Sequence, residues 1–448
     1  MPITSLRTTI ESHRLNPTII AETGDWPCRD LLRFSRCSPI GRDGHGHDVA
    51  LRFHDPARLA LALLALDGVA RRIFLVSADL QESDAKKLIG DFEPTLTISD
   101  DPTLDLPNHS HRLWDAKLPD AEHGIEHDHQ TDWTLATSGT TGMPKLIGHS
   151  LTSLMRTTKI GNERTWRWGQ LFDMCRFAGV QVFLQGLLGG TALLLPPPSW
   201  SLDKRLTFLR ENDCEALSAT PTLWRKILMT IGASPWPLRQ ITLGGEIADA
   251  STLKALEARF PKTRIAHVYA STEAGVGFSV TDGLPGFPLS YLTTPDRAHM
   301  KLVDGRLFLA SHGMRFPSSS QLPVDADGFI DTGDVVQIVG DRCLFLGRAN
   351  GAINVGGNKL FPEEVESVLL ELEEISLARV FAKSNPIMGQ IVVAEIVLKD
   401  RTCEPRSIRQ LATSHCAERL ERWKVPAMLQ IKDSLENNAS GKLNRTLR

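Results

Sequence analysis

The sequence predicts an α/β protein. Its large N-terminal domain is built of α/β sheets with a β-rich subdomain, and a small, mobile α+β domain follows. Three observations carry this. Short β-branched or apolar runs alternate with helical patterns across the first 300 residues or so, the rhythm of parallel α/β sheets. Near Asp304 the texture changes to hairpin-like strands. A chain of 448 residues is also too long for one ordinary domain.

Each element has its own signal. "LALALLALDGVA" is an apolar run interrupted by Asp67. It is too short to span a bilayer, which needs about 20 apolar residues, and reads as a core helix. "RRIFLVSA" and "TALLLPPP" read as buried strands, the second stopped by prolines. "ALSATPTLWRKILMTI" gives a strand end, a turn at Pro221 and a helix. "RQITLGGE" and "TRIAHVYASTEAG" are strands entering glycine-containing loops, where ligands of parallel sheets gather. "GRLFLAS" and "GFIDTGDVVQIVGDRCLFLGR" read as antiparallel hairpins. After a boundary between Gly347 and Asn350 come a strand, a glycine turn, a helix opened by Pro362, a hairpin, and an amphipathic helix in "SIRQLATSHCAERLERW". The expected division is 1–347 and 348–448.

Composition narrows the function. A formal net charge of -3 gives no global basic field for nucleic acid or an anionic membrane. Seven scattered cysteines without CxxC spacing read as reduced thiols, and the N-terminus lacks a signal-peptide core. The expectation is a cytoplasmic enzyme with no membrane span and no nucleic-acid partner. The histidines of "NHSHRLWDAKLPDAEHGIEHDHQ" and "GHGHD" read as a polar connection, without the helical HExxH spacing of a metal site.

The chemistry concentrates in "TSGTTGMPK", Thr137 to Lys145. Gly139 and Gly142 let backbone N–H groups approach phosphate oxygens; Ser138, Thr140 and Thr141 add hydroxyl donors, and Lys145 adds charge. This is not a Walker loop, because Pro144 precedes the lysine and Leu146 follows it. The stretch, with "YASTEAG" (269–275), "DTGD" (331–334), "GRANGAINVGGNKLFPEEVE" (347–366) and "NASGKLNR" (438–445), resembles the adenylate-forming superfamily of acyl-CoA synthetases, adenylation domains and luciferases. The compact length resembles its small aryl-acid and succinylbenzoate-type CoA ligases.

The resemblance implies an ATP-dependent carboxylic acid–thiol ligase, with an aromatic acid as the expected substrate, that makes an acyl-adenylate and then a thioester. The acceptor would be CoA or the phosphopantetheine of a separate carrier protein. ATP and Mg²⁺ are the implied cofactors. Glu273, with Thr141 nearby, would hold the metal. Tyr269 would stack on adenine, with Ala270, Ser271 and Thr272 beside it and Gly244, Gly245 and Glu246 as the adjoining wall. Asp334 would accept from the ribose hydroxyls, and Arg348 would approach ribose or phosphate. Lys442 would steady the reacting carboxylate and α-phosphate, Asn350 would be the hinge, and Gly356 and Gly357 would face the incoming thiol. Around the acid, "DMCRFAGVQVF" places Arg176 where relatives often carry histidine. Arg176 could hold a carboxylate or a second anionic group, or form a structural ion pair. Phe172, Phe177, Val180 and Trp224 are equally good as acid pocket or core; Gly244 and Gly275 complete the substrate set. Asp173 faintly resembles the aspartate with which amino-acid-activating domains hold an ammonium, so a stand-alone amino-acid adenylating enzyme is one alternative. A nucleotide-binding protein that has lost catalysis is the other.

Overall fold

A computed structural model describes residues 5–104, 110–114, 117, 124–126, 129–137, 144–161, 166–232, 235–293, 299–310, 324–355, 357–385, 389–400 and 402–435. The large domain holds two sheets. In the first, six strands run in the order Ser110–Leu113, Leu96–Ser99, Asp48–Arg52, Arg72–Leu75, Asp132–Ala136, Leu146–Ser150. All neighbours are parallel except the last pair, a hairpin. The second has eight strands, and its six inner ones are parallel: Arg264–Ser271, Gln240–Gly244, Ala216–Ala219, Arg167–Gly169, Ala192–Leu195 and Thr18–Ala21. Gly275–Val280 and Gly24–Pro27 close its edges antiparallel.

The apolar run expected to be a core helix is one. Pro56–Leu66 buries every residue but Arg58, as a helix hydrophobic on all sides must. Asp55 caps its start through Ala57 N–H, at 2.8 Å. Just beyond its end the buried Asp67 carboxylate accepts from Leu6 N (2.7 Å) and Trp133 Nε1 (2.8 Å). Burial outweighs these two bonds and pushes the carboxyl up to about 7. The unfolded chain gives up that proton near 3.8, the ordinary value. The folded state therefore binds more protons between pH ~4 and ~7, and stability falls as pH rises through that window, by up to roughly 4 kcal/mol. Urea unfolding at pH 5 and pH 8 checks this. The wild-type midpoint should drop at the higher pH, and that of Asp67→Asn should be nearly level, though lower at pH 5 because its amide meets two donors with one acceptor.

The β-rich part is a five-stranded antiparallel sheet in the order Phe287–Pro288, Arg342–Arg348, Phe329–Val339, Arg306–Ala310, Met300–Val303. Beyond it, Ile375–Asn385, Gly389–Leu398 and Met428–Ile431 form a three-stranded sheet. Helices Pro362–Leu369 and Pro405–Arg419 pack on it around a core of their own, including Val365, Leu369, Val380, Ile396, Ala412 and Cys416. The junction is tight at Gly347. Its φ is +149°, and a Cβ there would lie 2.5 Å from Glu363 Oε2 and 3.0 Å from the Phe361 ring. Lys226 of the large domain donates to Leu435 O at 3.5 Å, so the last described turn of the chain lies against the Pro221–Ile231 helix. Among the described residues no helix is long and apolar enough to cross a membrane.

Candidate active site

A cavity of about 700 Å³ opens at the C-terminal ends of the parallel strands of the eight-stranded sheet. One wall is that sheet, and strand alternation selects its lining. Gln240, Thr242 and Gly244 of one strand and Arg264, Ala266, Val268 and Ala270 of the next all face the cavity. Residues of the other parity, Ile241 and Leu243, pack into the core with Leu217 and Trp224. The opposite wall is helix Phe177–Leu184, which contributes Phe177, Ala178, Gln181 and Val182.

At the upper end the hairpin Asp132–Ala136/Leu146–Ser150 holds the phosphate-loop sequence. Thr137 N–H donates to Lys145 O (2.8 Å), and Lys145 N–H donates back to Thr137 Oγ1 (3.0 Å). This pinches the loop's neck and sets both residues on the cavity wall. Ser138, Gly139, Thr140, Thr141 and Gly142 lie outside the described residues. Opposite, strand Arg264–Ser271 runs into the "STE" tip. Gly275, at φ +71°, lets the chain reverse into the antiparallel neighbour, and Ser271 Oγ accepts from Ala274 N (3.0 Å). Ala270, Ser271, Thr272 and Glu273 thereby line the cavity. Beneath the tip is His149. It is buried, touches the Phe177 ring at a 5.7 Å centroid distance, and lies against the Thr272 backbone. Burial pulls its pKa down to about 4, so it is a neutral packing residue at physiological pH.

The expected ribose and adenine residues are gathered at one place. Tyr269 OH donates a short hydrogen bond to Asp334 Oδ2, and Arg348 Nε stands 3.2 Å from Asp334 Oδ1. Burial, then the Asp334 charge, holds the Tyr269 phenol well above its usual range. Its ring stacks with Phe345 at 5.0 Å and Phe278 at 5.2 Å, and those two lie 6.4 Å apart. Rings on opposite faces of the tyrosine, each at ~3.5 Å contact, would be at least about 7 Å apart. Both phenylalanines therefore support the same face, which leaves the other for a planar ligand. Tyr269→Phe keeps the platform and removes the bond to Asp334. The expected result is a KM for ATP about tenfold higher, with kcat little changed, read from pyrophosphate release.

Arg176 lines the acid side of the cavity. It is the N-cap of helix Phe177–Leu184; its Nη1 donates to Ala136 O (3.3 Å), and its Nε lies 3.7 Å from Asp173 Oδ2. That last contact is electrostatic only, since both atoms are buried without a hydrogen-bond partner among the described residues. Close behind, the half-buried Arg205 donates to Leu171 O (3.0 Å), and desolvation pulls its guanidinium down to about 10.

Several residues that the sequence left open take definite places. Trp224 is not in the pocket: it is fully buried among Leu217, Ile241 and Phe260 and donates to Thr242 O (3.0 Å). Val180 is likewise core, whereas Phe172 and Phe177 do line the cavity. Gly244 and Gly245 form wall, but Glu246 turns to the start of helix Pro221–Ile231, accepting from Thr222 N at 3.0 Å. Asn350 sits in a single 3-10 turn, Ala349–Gly351, with an ordinary negative φ; the unusual φ values are at Gly347 and Gly357. Gly357, at φ +92°, donates to Asn354 Oδ1 (3.0 Å) in the turn before Asn358–Leu360. Lys442 and Gly356 lie outside the described residues. Trp166, Trp168, Gln185, Gln240 and Arg264 also line the cavity and were not singled out in the sequence. The signal for two of them was the alternation itself, polar or small at every second position of "RQITLGG" and "RIAHVYA".

Comparison with known proteins agrees with this architecture. Residues 44–306 match the family model described as AMP-binding enzyme, and 364–442 match the AMP-binding enzyme C-terminal domain. This chain belongs to the AMP-binding enzyme family. Among curated AMP-binding relatives, 2-succinylbenzoate–CoA ligase of Bacillus subtilis is 27% identical over 69% of this chain and 66% of its own length. Surfactin synthase subunit 1 of the same organism is 25% identical over 74% of this chain but 11% of its own. The match thus spans under two thirds of either relative. The AMP-binding fold recurs in a crystal structure of the anthranilate CoA ligase AuaEII with anthranoyl-AMP. That structure has a TM-score of 0.82 at 16% identity and covers 99% of this chain and 96% of that one.

Proposed function

We propose that this protein is an ATP-dependent, AMP-forming carboxylic acid–thiol ligase. One observation carries the reading: a single cavity joins Arg348, which pairs with Asp334 beside Tyr269, and the neck of the phosphate loop to a channel walled by Phe172, Phe177 and Arg176. A nucleotide and an organic acid fit end to end there. The relatives named 2-succinylbenzoate–CoA ligase and anthranilate CoA ligase support an aromatic acid and CoA as acceptor.

The first step joins two anions. A carboxylate oxygen attacks the α-phosphorus of ATP, and pyrophosphate leaves. Lys145, Arg176 and Arg348 supply fixed positive charge around the cavity, where attraction is less screened than in water. Glu273 presents a hard oxygen donor to the same space, which fits Mg²⁺. With Thr141 it would hold the ion, which supplies charge neutralisation on the phosphates. Asp334 orients the ribose through its remaining acceptor capacity, Tyr269 carries the adenine, and Lys442 reaches the α-phosphate from the small domain. In the second step a thiol sulfur attacks the acyl carbon and AMP departs with the oxygen. Residues 348–448 turn about Asn350 between the steps, which brings Gly356 and Gly357 to the thiol; the separate core of that region supports this division. CoA, or a separate carrier protein's phosphopantetheine, is the thiol, in the cytoplasm.

Asp173 argues against an amino acid as substrate, because the charge that would hold an ammonium already faces Arg176. A panel of carboxylic acids with Mg²⁺ and ATP tests the whole reading. Aryl acids should release pyrophosphate and AMP, and amino acids should not. If no acid splits ATP between its α- and β-phosphorus, the assignment is wrong.

A further inference from the structure

We propose that Arg205 is a positioning residue for acid recognition: by answering the charge of Asp79, it leaves the guanidinium of Arg176 free for the substrate carboxylate. This rests on the ligase reading above and on the place of Arg176 in the acid channel.

Four charges gather at the end of the channel nearest the phosphate loop, and three elements bring them there. Asp173 and Arg176 belong to the turn that leads into helix Phe177–Leu184, and both line the cavity. Arg205 comes from helix Leu202–Glu211, and Asp79 from the segment that follows strand Arg72–Leu75. Neither is among the described residues that line the cavity, so each acts through the turn. The turn is held from both sides. Arg205 Nη2 donates to Leu171 O (3.0 Å) at its start, and Gln170 Nε2 donates to Phe172 O (2.7 Å) and Gly179 O (3.3 Å). At its end Arg176 Nη1 donates to Ala136 O (3.3 Å). Ala136 closes the strand that leads to the phosphate loop, and that strand is the parallel neighbour of Arg72–Leu75. The acid turn therefore sits beside two adjacent strand ends of the six-stranded sheet, one carrying the phosphate loop and the other Asp79.

The charges balance as two carboxylates and two guanidiniums. Desolvation, then the Asp173 charge, raises the Asp79 carboxyl above its ordinary range, while Arg176, His54 and Arg205 draw it down. His54 is already engaged by Asp100, Nδ1 to Oδ1 at 3.2 Å. On the other side, Asp79 is the acid that opposes the desolvation of Arg205. With Arg205 charged, each carboxylate has a cation of its own, and Arg176 Nε stays without a hydrogen-bond partner among the described residues. Without that charge, Asp79 and Asp173 both draw on Arg176. A substrate carboxylate is then the third anion on one cation, and its attraction is reduced. Asp79 is exposed, so water screens its share and the effect is moderate.

Acid and ATP kinetics in the full-length enzyme test this, read from pyrophosphate release with the aryl acid that turns over fastest in the panel above. Arg205→Gln keeps a donor of similar length and removes the charge. It should raise the KM for the acid about fivefold and leave that for ATP unchanged. Arg205→Lys should stay near wild type. Adding Asp79→Asn to Arg205→Gln should return the acid KM to about the wild-type value, because the surplus carboxylate is gone. Asp79→Asn alone, which leaves Arg205 in place, should lower the acid KM about twofold. Urea unfolding confirms that each variant is folded. An unchanged acid KM in Arg205→Gln overturns the proposal. So does a rise that Asp79→Asn fails to reverse or that Arg205→Lys shares, since either makes the bond to Leu171 the whole role of Arg205. An acid KM that is unchanged or raised in Asp79→Asn alone overturns it as well. If no acid releases pyrophosphate, the proposal falls together with the ligase reading. If acids react and Arg176→Ala leaves the acid KM unmoved, it falls with the assignment of Arg176. If Arg176→Ala raises that KM and Arg205→Gln does not, it falls alone.

Discussion

Gly179→Ala is expected to cut acid activation about a hundredfold and to lower stability by about 3 kcal/mol. Helix propensity predicts the opposite sign, because alanine is favoured over glycine inside a helix by about 1 kcal/mol. The local geometry decides. A Cβ on residue 179 would lie 1.9 Å from Asp173 O, 2.5 Å from Asp173 C and 2.8 Å from Met174 Cα. These are backbone atoms, which cannot swing aside as a side-chain tip can, so the 173–175 turn has to move. That turn is fastened to the helix by Arg176 N donating to Asp173 O (3.0 Å) and Cys175 N donating to Asp173 Oδ1 (2.8 Å). Moving it displaces Asp173 and Arg176 together. A shift of about 1 Å in a positioning group is enough for a loss on the order of a hundredfold. Urea unfolding should show the lowered midpoint, and pyrophosphate release the lost acid turnover. Binding of a non-hydrolysable ATP analogue should survive at a temperature where the variant is folded. A variant as stable and active as wild type would refute this account of the glycine.

The same glycine shows what the sequence could and could not convey. "RFAG" identified Arg176 by its offset from Gly179, and the structure supplies the reason for that spacing: no other residue lets the turn lie on the helix. Strands and helices were legible because their punctuation is local. Pro221 follows its N-cap Thr220, Pro362 opens a helix, and Asp67 ends an apolar run. Sheet order was not legible, because it is set by pairings between distant segments. Thr18–Ala21 pairs with Ala192–Leu195, and Arg167–Gly169, three residues within "RTWRWGQ", lies at the centre of the eight-stranded sheet. The extent of the acid channel was hidden for the same reason. It exists only once Gln240 and Arg264 are brought into register as neighbours. Trp224 was left open between pocket and core because an aromatic residue reads alike in both, and its indole N–H finds a backbone carbonyl in the core.

Arg176→Ala should raise the KM for the acid about a hundredfold and leave that for ATP nearly unchanged. Its guanidinium is largely buried, at 14% side-chain exposure, and Nε has no hydrogen-bond partner among the described residues. A buried donor left unmade is costly, and a substrate carboxylate on the cavity side would satisfy it with a charge-assisted bond. Removing the side chain also strands Asp173, whose Oδ2 is buried and has only this cation 3.7 Å away as an ion-pair partner among the described residues. The single variant should therefore be destabilised by about 3 kcal/mol as well, the cost of an uncompensated buried charge. The two effects separate in a double variant. Arg176→Ala with Asp173→Ala removes both charges, so it should regain most of the stability while acid affinity stays low. Recovery of both would make Arg176 a structural partner of Asp173 and nothing more. Recovery of stability alone assigns the arginine to the substrate, and the sign of the coupling between the two substitutions, measured once by unfolding and once by acid KM, distinguishes the outcomes.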